Sequence, residues 1–391
     1  MVGVVASAAD ATLGRLFWER VEKSRALPAQ MIKRSGRWYA LTWTQVGEVV
    51  HRVGLGLLAL DRKRGDAIAL LSRSRAEWVQ ADFAILSAGC VTIPIYPTYT
   101  PEQIAYLVND SQARTLVVED PAQLAKVLEV WTRMSRLEQV VVIEGYEGQQ
   151  SNVLTWEALQ RLGAERADDL KSVLVDRLAS ARHEDVATIV YTSGTTGPPK
   201  GVIQTHRNHV AALGAAMEVA PVKPGDVHLL FLPLAHSFAR LEAFMGVYGG
   251  LTTAFAESLD KVGENIRDVR PHFIVGVPRV LRAAREPRRP APIRGVRWGA
   301  LVCGDRGVLP RDRALDPRRV WVHRKLPGAG LQPRRPLPVR LRGPCRSGCR
   351  AQARRGRRDP GAWPQHRHQG LLEPARGYRR DIWNGRLAAH G

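Results

Sequence analysis

The sequence predicts an α/β fold over residues 1–281, in which largely parallel sheets carry helices on their faces. Two observations predict the fold and its extent. Short apolar, β-rich runs alternate with helical patterns over this segment, which predicts the fold class. The composition changes abruptly near residue 282, which predicts where the folded segment ends. Residues 282–391 are rich in arginine and proline and predict a poorly ordered tail. At 391 residues the chain is long enough for two folded units and a large buried core.

Seven apolar, β-rich runs predict strands, at 66–72, 90–95, 115–118, 140–143, 186–191, 229–232 and 273–277. Between the first two runs, apolar residues at helical spacing predict a helix over 76–88 that ends at Gly89. Pro101 predicts the first turn of a second helix. Because strands separated by helices are typical of βαβ units, the sheets are expected to be mainly parallel.

The net charge of +21 is concentrated in the last quarter of the chain. Residues 1–281 contain 30 Lys and Arg against 30 Asp and Glu, whereas residues 282–391 contain 28 against 7. The second segment also holds 13 of the 25 prolines, which follow no period. A nucleic-acid-binding arm is usually a compact block of basic residues. This change over 110 residues instead indicates two unlike segments joined near residue 282.

The sequence predicts a soluble cytoplasmic protein. No apolar stretch approaches the roughly 18 residues needed to span a bilayer, and no signal-peptide pattern opens the chain. The four cysteines are too few for a disulfide framework, which favours a reducing compartment. Cys90 is interpreted as a small buried hydrophobic residue.

The residues that carry chemistry are concentrated in a loop of glycines and hydroxyls that follows an apolar strand. The loop and its flanks read Tyr191-Thr192-Ser193-Gly194-Thr195-Thr196-Gly197-Pro198-Pro199-Lys200-Gly201. Glycines let backbone N–H groups approach phosphate oxygens, hydroxyls add donors, and a lysine adds positive charge. The spacing is not that of the P-loop NTPases, in which Gly-Lys is followed by Ser or Thr. From the residues alone, a phosphate-binding loop and an ordinary turn are both open.

As a whole, this motif resembles the ATP-phosphate loop of the acyl-adenylate-forming superfamily, which includes acyl-CoA synthetases, luciferases and peptide-synthetase adenylation domains. Further segments resemble the long-chain fatty acid–CoA ligases of that superfamily, at 78–89, 94–98, 233–238 and 276–280. The resemblance covers the chain from about residue 12 to residue 281. It implies an incomplete large N-terminal domain of the adenylate-forming fold.

The resemblance also implies a reaction and a set of site residues. The substrate carboxylate attacks the α-phosphate of ATP and expels pyrophosphate, and the thiol of coenzyme A then displaces AMP. The β- and γ-phosphates are assigned to Thr192, Ser193, Gly194, Thr195, Thr196, Gly197 and Lys200. His236 is placed beside the acyl or adenylate site, although without its motif it reads as a core or turn histidine. Magnesium, fatty acid, ATP and coenzyme A are the implied ligands, with peripheral membrane contact as a further expectation.

The motifs that should follow in the resembled family are absent in frame, which predicts a shift of the reading frame. The family carries a Tyr-Gly-x-Thr-Glu motif whose Glu binds magnesium, a ribose-binding Thr-Gly-Asp, a hinge, and a small C-terminal domain with a catalytic lysine. Read one base later, permitted codons for residues 316–325 encode Ile-Leu-Glu-Gly-Tyr-Gly-Phe-Thr-Glu. Residues 357–391 likewise yield family hallmarks in family order. The slip is expected between about residues 282 and 304, leaving an inactive ligase without the small domain.

Two alternatives for the tail follow from its own residues. A non-enzymatic basic protein could bind RNA or an anionic membrane through the arginines, and salt-dependent binding by residues 282–391 would favour it. Cys345, Cys349, His366 and His368 could form a metal site, but the frame argument implies that none was selected for its side chain. Within the folded part, His206 is expected to cap structure after the loop.

Overall fold

The computed structural model describes residues 11–192, 197–219 and 222–276, together with three short strands at 297–298, 301–303 and 321–323. The chain divides into two units, Met1–Arg324 and Lys325–Gly391, and every described residue belongs to the first. Apart from those three strands, the segment predicted to be poorly ordered lies outside the described residues. Its order and its boundary at 281/282 therefore stay predictions.

The described residues form ten α-helices and fifteen strands. The helices are α1 Leu13–Ser24, α2 Trp43–Ala59, α3 Ala76–Ser87, α4 Pro101–Ser111, α5 Pro121–Glu129, α6 Trp156–Glu165, α7 Ala167–Ala179, α8 His206–Val219, α9 Ser237–Gly249 and α10 Val262–Val269. The strands are β1 Pro28–Arg34, β2 Arg37–Thr42, β3 Ala67–Leu71, β4 Val91–Ile95, β5 Thr115–Val118, β6 Gln139–Val142, β7 Val153–Thr155, β8 Val186–Thr192, β9 Lys200–Thr205, β10 Val227–Leu230, β11 Thr252–Phe255, β12 Phe273–Ile274, β13 Arg297–Trp298, β14 Leu301–Cys303 and β15 Trp321–His323.

Two large sheets organise the described residues, and both are mainly parallel. The seven-stranded sheet has the order β7-β6-β5-β3-β4-β8-β9, and only its β8–β9 pair is antiparallel. The six-stranded sheet has the order β13-β12-β10-β11-β1-β2, and only its β1–β2 pair is antiparallel. The short strands β14 and β15 form a separate parallel pair. The predicted fold class is confirmed.

The two predicted helices form for the local reasons that predicted them. Helix α3 is followed by Gly89, whose φ of +71° is the left-handed conformation that glycine adopts without strain. Helix α4 starts at Pro101 behind a capping box, in which Thr100 and Gln103 satisfy each other's backbone N–H groups. None of the described helices is long and apolar enough to cross a bilayer. A cytoplasmic location stays a prediction.

Helix α3 forms a layer shared by the two large sheets. Its Asp82 accepts a hydrogen bond from Thr92 of β4 at 2.7 Å, and its Gln80 donates to Gln30 of β1 at 2.8 Å. The helix is buried along almost its whole length, and Trp78 is only 1% exposed. Because strands buried on both faces cannot alternate polar and apolar residues, β3 reads Ala-Ile-Ala-Leu-Leu and is buried at every position.

A buried arginine joins α9 to this central layer. Arg240 is fully buried, and its Nη2 lies 2.7 Å from Oδ1 and 2.9 Å from Oδ2 of Asp82. Its Nη1 donates to the hydroxyl of Thr188 on β8 at 2.6 Å. The guanidinium also lies over the rings of Trp78 and Phe244, 5.6 Å and 5.2 Å from their centroids. One side chain thus connects α9, α3 and β8.

We expect Arg240→Met to destabilise the chain strongly, because the substitution leaves the carboxylate of Asp82 buried without its cation. Breaking a buried pair from one side costs about 3–5 kcal/mol. Urea denaturation followed by tryptophan fluorescence measures the change in unfolding free energy. The matched control is Arg52→Met, since Arg52 pairs with Glu48 on the exposed face of α2 and should contribute under about 1 kcal/mol. Equal losses in the two variants would show that the buried pair is unimportant.

Candidate functional site

The predicted phosphate loop lies at the tip of the β8–β9 hairpin. In this antiparallel pair Thr192 lies opposite Lys200 and Tyr191 lies opposite Gly201, so these two levels form the neck of the loop. Ser193, Gly194, Thr195 and Thr196 lie outside the described residues. Lys200 and Thr192 are exposed, and Lys200 forms no ion pair with a described side chain. Lys200 thus lies exposed at the neck of the loop.

Two glycines of the motif have separate physical roles. Gly197 adopts a φ of +115°, a conformation that side-chain-bearing residues rarely reach. Gly201 packs against its own hairpin, because a Cβ added there would lie 2.7 Å from Cγ2 of Ile189 and 3.3 Å from the ring of Tyr191. The first glycine lets the chain turn, and the second lets the two strands of the neck stay paired.

His236 lies at the start of α9, as its N-cap residue. Its Nδ1 accepts a hydrogen bond from the N–H of Phe238 at 3.1 Å, and its side chain is exposed. Because Nδ1 is the acceptor, the neutral ring carries its proton on Nε2. The ring can therefore donate one hydrogen bond to a bound group.

The loop that carries His236 is fixed from the other sheet. Ser74, just after β3, donates its hydroxyl to the carbonyl of Leu232 at 2.7 Å and accepts the N–H of Leu234 at 2.9 Å. This double contact holds the connection between β10 and α9 against the carboxyl end of β3. Carboxyl ends of parallel strands are the edge at which α/β folds bind ligands. Ser74 was missed by the sequence reasoning, since only the fold brings residue 74 to residue 232.

The helix that His236 opens is anchored on the β8–β9 hairpin. Thr188 and Gln204 are cross-strand partners in that hairpin. Thr188 accepts from Arg240 of α9, and the side-chain amide of Gln204 reaches Ser237 of α9 at 3.5 Å. This level lies four residues below the Thr192–Lys200 pair, or about 13 Å along the strand. The structure thus connects the two predicted subsites through one hairpin, although no described contact joins His236 directly to Lys200.

The two histidines after the hairpin are structural. His206 is buried, and its Nδ1 accepts the N–H of Leu13 at 3.3 Å, which caps α1. The expectation that it caps structure after the loop is wrong, because Thr205 and Asn208 exchange the capping hydrogen bonds of α8. Burial lowers the pKa of His206 to about 4 and that of His209 to about 3, so both rings are neutral at physiological pH.

Cys90 is buried and free, as predicted, and burial raises the pKa of its thiol to about 12. A thiol so far from ionisation is a poor nucleophile. Within the described ranges, no cluster of three or more His, Cys, Asp or Glu could hold a metal ion. The described residues therefore do not provide the magnesium site that the resemblance implies. Cys345, Cys349, His366 and His368 of the tail lie outside the described residues.

Comparison with known proteins identifies the family that this fold and loop define. Residues 17–318 match the model of the AMP-binding enzyme family, and the chain belongs to that family. The chain is 34% identical over 247 residues to the long-chain-fatty-acid–CoA ligase FadD15 of Mycobacterium tuberculosis, covering 63% of this chain and 40% of that protein. It is 30% identical over 333 residues to the human long-chain-fatty-acid–CoA ligase ACSBG1, covering 82% of this chain and 44% of that protein.

The fold is also that of solved acyl-CoA ligases. The crystal structure of the N-terminal domain of FACL13 from Mycobacterium tuberculosis superposes with a TM-score of 0.60 at 20% identity. The match covers 74% of this chain and 69% of that one. The chain spans only about 40% to 44% of the length of the curated relatives named above.

We expect Gly201→Ala to destabilise the hairpin, because the new methyl group would overlap Ile189 and crowd Tyr191. Overpacking of this kind costs about 1–3 kcal/mol. The matched control is Gly214→Ala in α8, where an added Cβ meets nothing within 4 Å. That change should be neutral or stabilise by up to about 1 kcal/mol, since alanine favours a helix. Thermal unfolding of the two variants measures the difference, and a Gly201→Ala protein as stable as the control would refute the packing argument.

Proposed function

We propose that this chain derives from an ATP-dependent fatty acid–CoA ligase, in which the β8–β9 loop binds the β- and γ-phosphates of ATP. The observation that carries the proposal is the loop itself. Its neck pairs Thr192 with Lys200 across two strands and leaves the lysine exposed and unpaired among the described residues. Membership of the AMP-binding enzyme family and the names of its relatives support the same assignment.

The proposed reaction has two balanced steps. A fatty acid carboxylate oxygen forms a bond to the α-phosphorus of ATP, and pyrophosphate leaves with the bonding electron pair. The sulfur of coenzyme A then bonds to the acyl carbon, AMP leaves, and the thiol proton passes to solvent. Lys200 would stabilise the negative charge of the departing pyrophosphate. Because this charge grows as the bond breaks, the lysine would stabilise the first transition state more than the ground state. Hydroxyl and backbone donors of residues 192–197 would hold the same oxygens.

His236 is proposed to border the acyl or adenylate group. Because Nδ1 accepts from the N–H of Phe238, the hydrogen on Nε2 can donate to the carbonyl oxygen of an acyl-adenylate. Ser74 and Arg240 would set its position through the loop before α9 and through the helix itself. Magnesium is expected from the family chemistry, although the described residues offer no cluster of ligands for it.

The reading-frame hypothesis forms the second part of the proposal. The magnesium-binding Glu and the ribose-binding Asp of the family would then be encoded one base away from the frame of residues 282–391. A polypeptide without them could hold phosphates weakly at its loop. Catalytic turnover requires more than phosphate binding. The negative charge that develops in the transition state must be stabilised by fixed groups in a closed site.

Lys200→Ala should slow adenylate formation in the frame-corrected protein by about 10- to 150-fold. This range corresponds to the roughly 1.5–3 kcal/mol of a charge-assisted contact. Fatty-acid-dependent exchange of pyrophosphate into ATP measures that step. Lys23→Ala is the matched control, since Lys23 is an exposed lysine of α1 whose ion-pair partner among the described residues is Glu19. Unchanged exchange in Lys200→Ala would show that the loop assignment is wrong.

Restoring the frame should convert an inactive polypeptide into an acyl-CoA-forming enzyme. Both versions would be expressed, and release of AMP and acyl-CoA in the presence of fatty acid would be followed. The 391-residue form should give no fatty-acid-dependent product, whereas the corrected form should turn over. Robust turnover by the 391-residue form would refute the frame hypothesis, and the underlying DNA sequence provides an independent check.

A further inference from the structure

Helix α4 makes two contacts at the neck of the loop, one on the side where the chain enters it and one on the side where the chain leaves it. The hydroxyl of Tyr106 donates to the carbonyl of Pro199 at 2.9 Å, immediately before Lys200. The hydroxyl of Tyr191 donates to Oδ2 of Asp110 at 2.7 Å, immediately before Thr192. Tyr106 and Asp110 are four residues apart and therefore lie on the same face of the helix, one turn from each other.

The two contacts are hydrogen bonds that fix the positions of the two ends of the loop. Tyr191 is 5% exposed, and burial with the carboxylate of Asp110 raises the pKa of its hydroxyl, so the phenol remains a donor at neutral pH. Tyr106 binds a backbone carbonyl, which fixes the position of the chain rather than of a side chain. Together they define where the strand leaves the sheet at Thr192 and where it returns at Lys200.

Helix α4 is well suited to serve as a fixed support. Its N-terminus is closed by the Thr100–Gln103 capping box, and near its other end Asn109 donates to the carbonyl of Arg133 at 2.7 Å. Ile104, Leu107 and Val108 are fully buried in the core that covers this face of the seven-stranded sheet. The face that touches the hairpin therefore cannot move without disturbing that core.

We propose that Tyr106 and Asp110 are positioning residues that fix both sides of the loop neck and thereby aim Lys200 at a bound polyphosphate. This inference rests on the proposed function of the loop and extends it to a helix outside the motif. Two hydrogen bonds one helical turn apart resist both rotation and sliding of the hairpin tip. Their loss should weaken polyphosphate binding more than it weakens the fold.

The test uses the 391-residue chain, which contains both the loop and α4. Isothermal titration calorimetry gives the Kd for inorganic tripolyphosphate and for ATP, with AMP as the probe that lacks the β- and γ-phosphates. Tyr106→Phe and Tyr191→Phe each remove one hydroxyl. Each should raise the Kd for tripolyphosphate and ATP by about two- to tenfold, the range expected for the loss of one hydrogen bond. The double variant should lose more than either single variant, and the affinity for AMP should stay unchanged.

Two controls separate positioning from stability and from charge. Asn109→Ala removes a hydrogen bond from the same helix without touching the hairpin, so it should leave the Kd for tripolyphosphate unchanged. Asp110→Asn keeps an oxygen that accepts from Tyr191, whereas Asp110→Ala does not. Only the alanine variant should therefore weaken binding. A charge effect alone would make the two Asp110 variants behave alike and would overturn this part of the inference.

The remaining outcomes distinguish the two proposals. If the wild-type chain binds tripolyphosphate but Tyr106→Phe and Tyr191→Phe bind it equally well, the positioning role is refuted and the loop assignment stands. If both variants lose affinity for AMP as much as for tripolyphosphate, the contacts are merely structural and the inference is refuted. If the wild-type chain binds neither tripolyphosphate nor ATP, the proposed function of the loop fails, and the positioning role fails with it.

Discussion

The ion pair between Arg240 and Asp82 is the interaction on which the arrangement of the site depends. A guanidinium and a carboxylate removed from water lose several kcal/mol of hydration each, so both must find nearly complete replacement. Arg240 finds it in three hydrogen bonds to Asp82 and one to Thr188, and Asp82 also accepts from Thr92. Such geometry is met only when α3, α9, β4 and β8 take one relative position. The pair therefore specifies that position, whatever its net contribution to stability.

A second buried polar group extends the same constraint to the other sheet. Glu242, two residues after Arg240, lies 3.4 Å from Nδ1 of His228 on β10, and Nε2 of that ring lies 2.7 Å from the hydroxyl of Thr253 on β11. Burial raises the pKa of Glu242, and the hydrogen bond and charge interaction with His228 lower it by a smaller amount. Helix α9 thus directs one polar side chain to each sheet. The position of His236, the N-cap residue of α9, is therefore fixed from both sheets.

The sequence predicted the parts of this structure that depend on local pattern. All seven predicted strands exist, although the strand predicted at 229–232 is Val227–Leu230, two residues earlier. Strands β1, β2, β7, β9 and β11 were missed, as were the short strands β13, β14 and β15. Among them β1 and β9 contain lysines and polar residues and are half-exposed. Strand β7 spans only three residues, and β11 reads Thr-Thr-Ala-Phe, so neither offers a long apolar run.

The residues that position the site could not be predicted from local sequence patterns, because their partners are distant in the chain. Arg240 follows Ala239 in a helix of mixed sequence, where an arginine is normally expected on the surface. Its partner Asp82 is 158 residues away, and Ser74 and Tyr106 are similarly remote from the loops that they hold. Only the four-residue spacing of Tyr106 and Asp110 was readable from the sequence. That spacing is common on helices and points to no particular partner.

Strand β8 shows how contacts from helices on both faces of the sheet combine below the candidate phosphate loop. Side chains alternate between the faces of a strand, so Thr188 and Tyr191, three residues apart, lie on opposite faces. Thr188 meets Arg240 on the face shared with α3 and α9, whereas Tyr191 meets Asp110 on the face covered by α4. A shift of the strand by one residue would exchange these faces and break both contacts at once. The loop at its end is therefore held in register by two layers of helices that never contribute a residue to the motif itself.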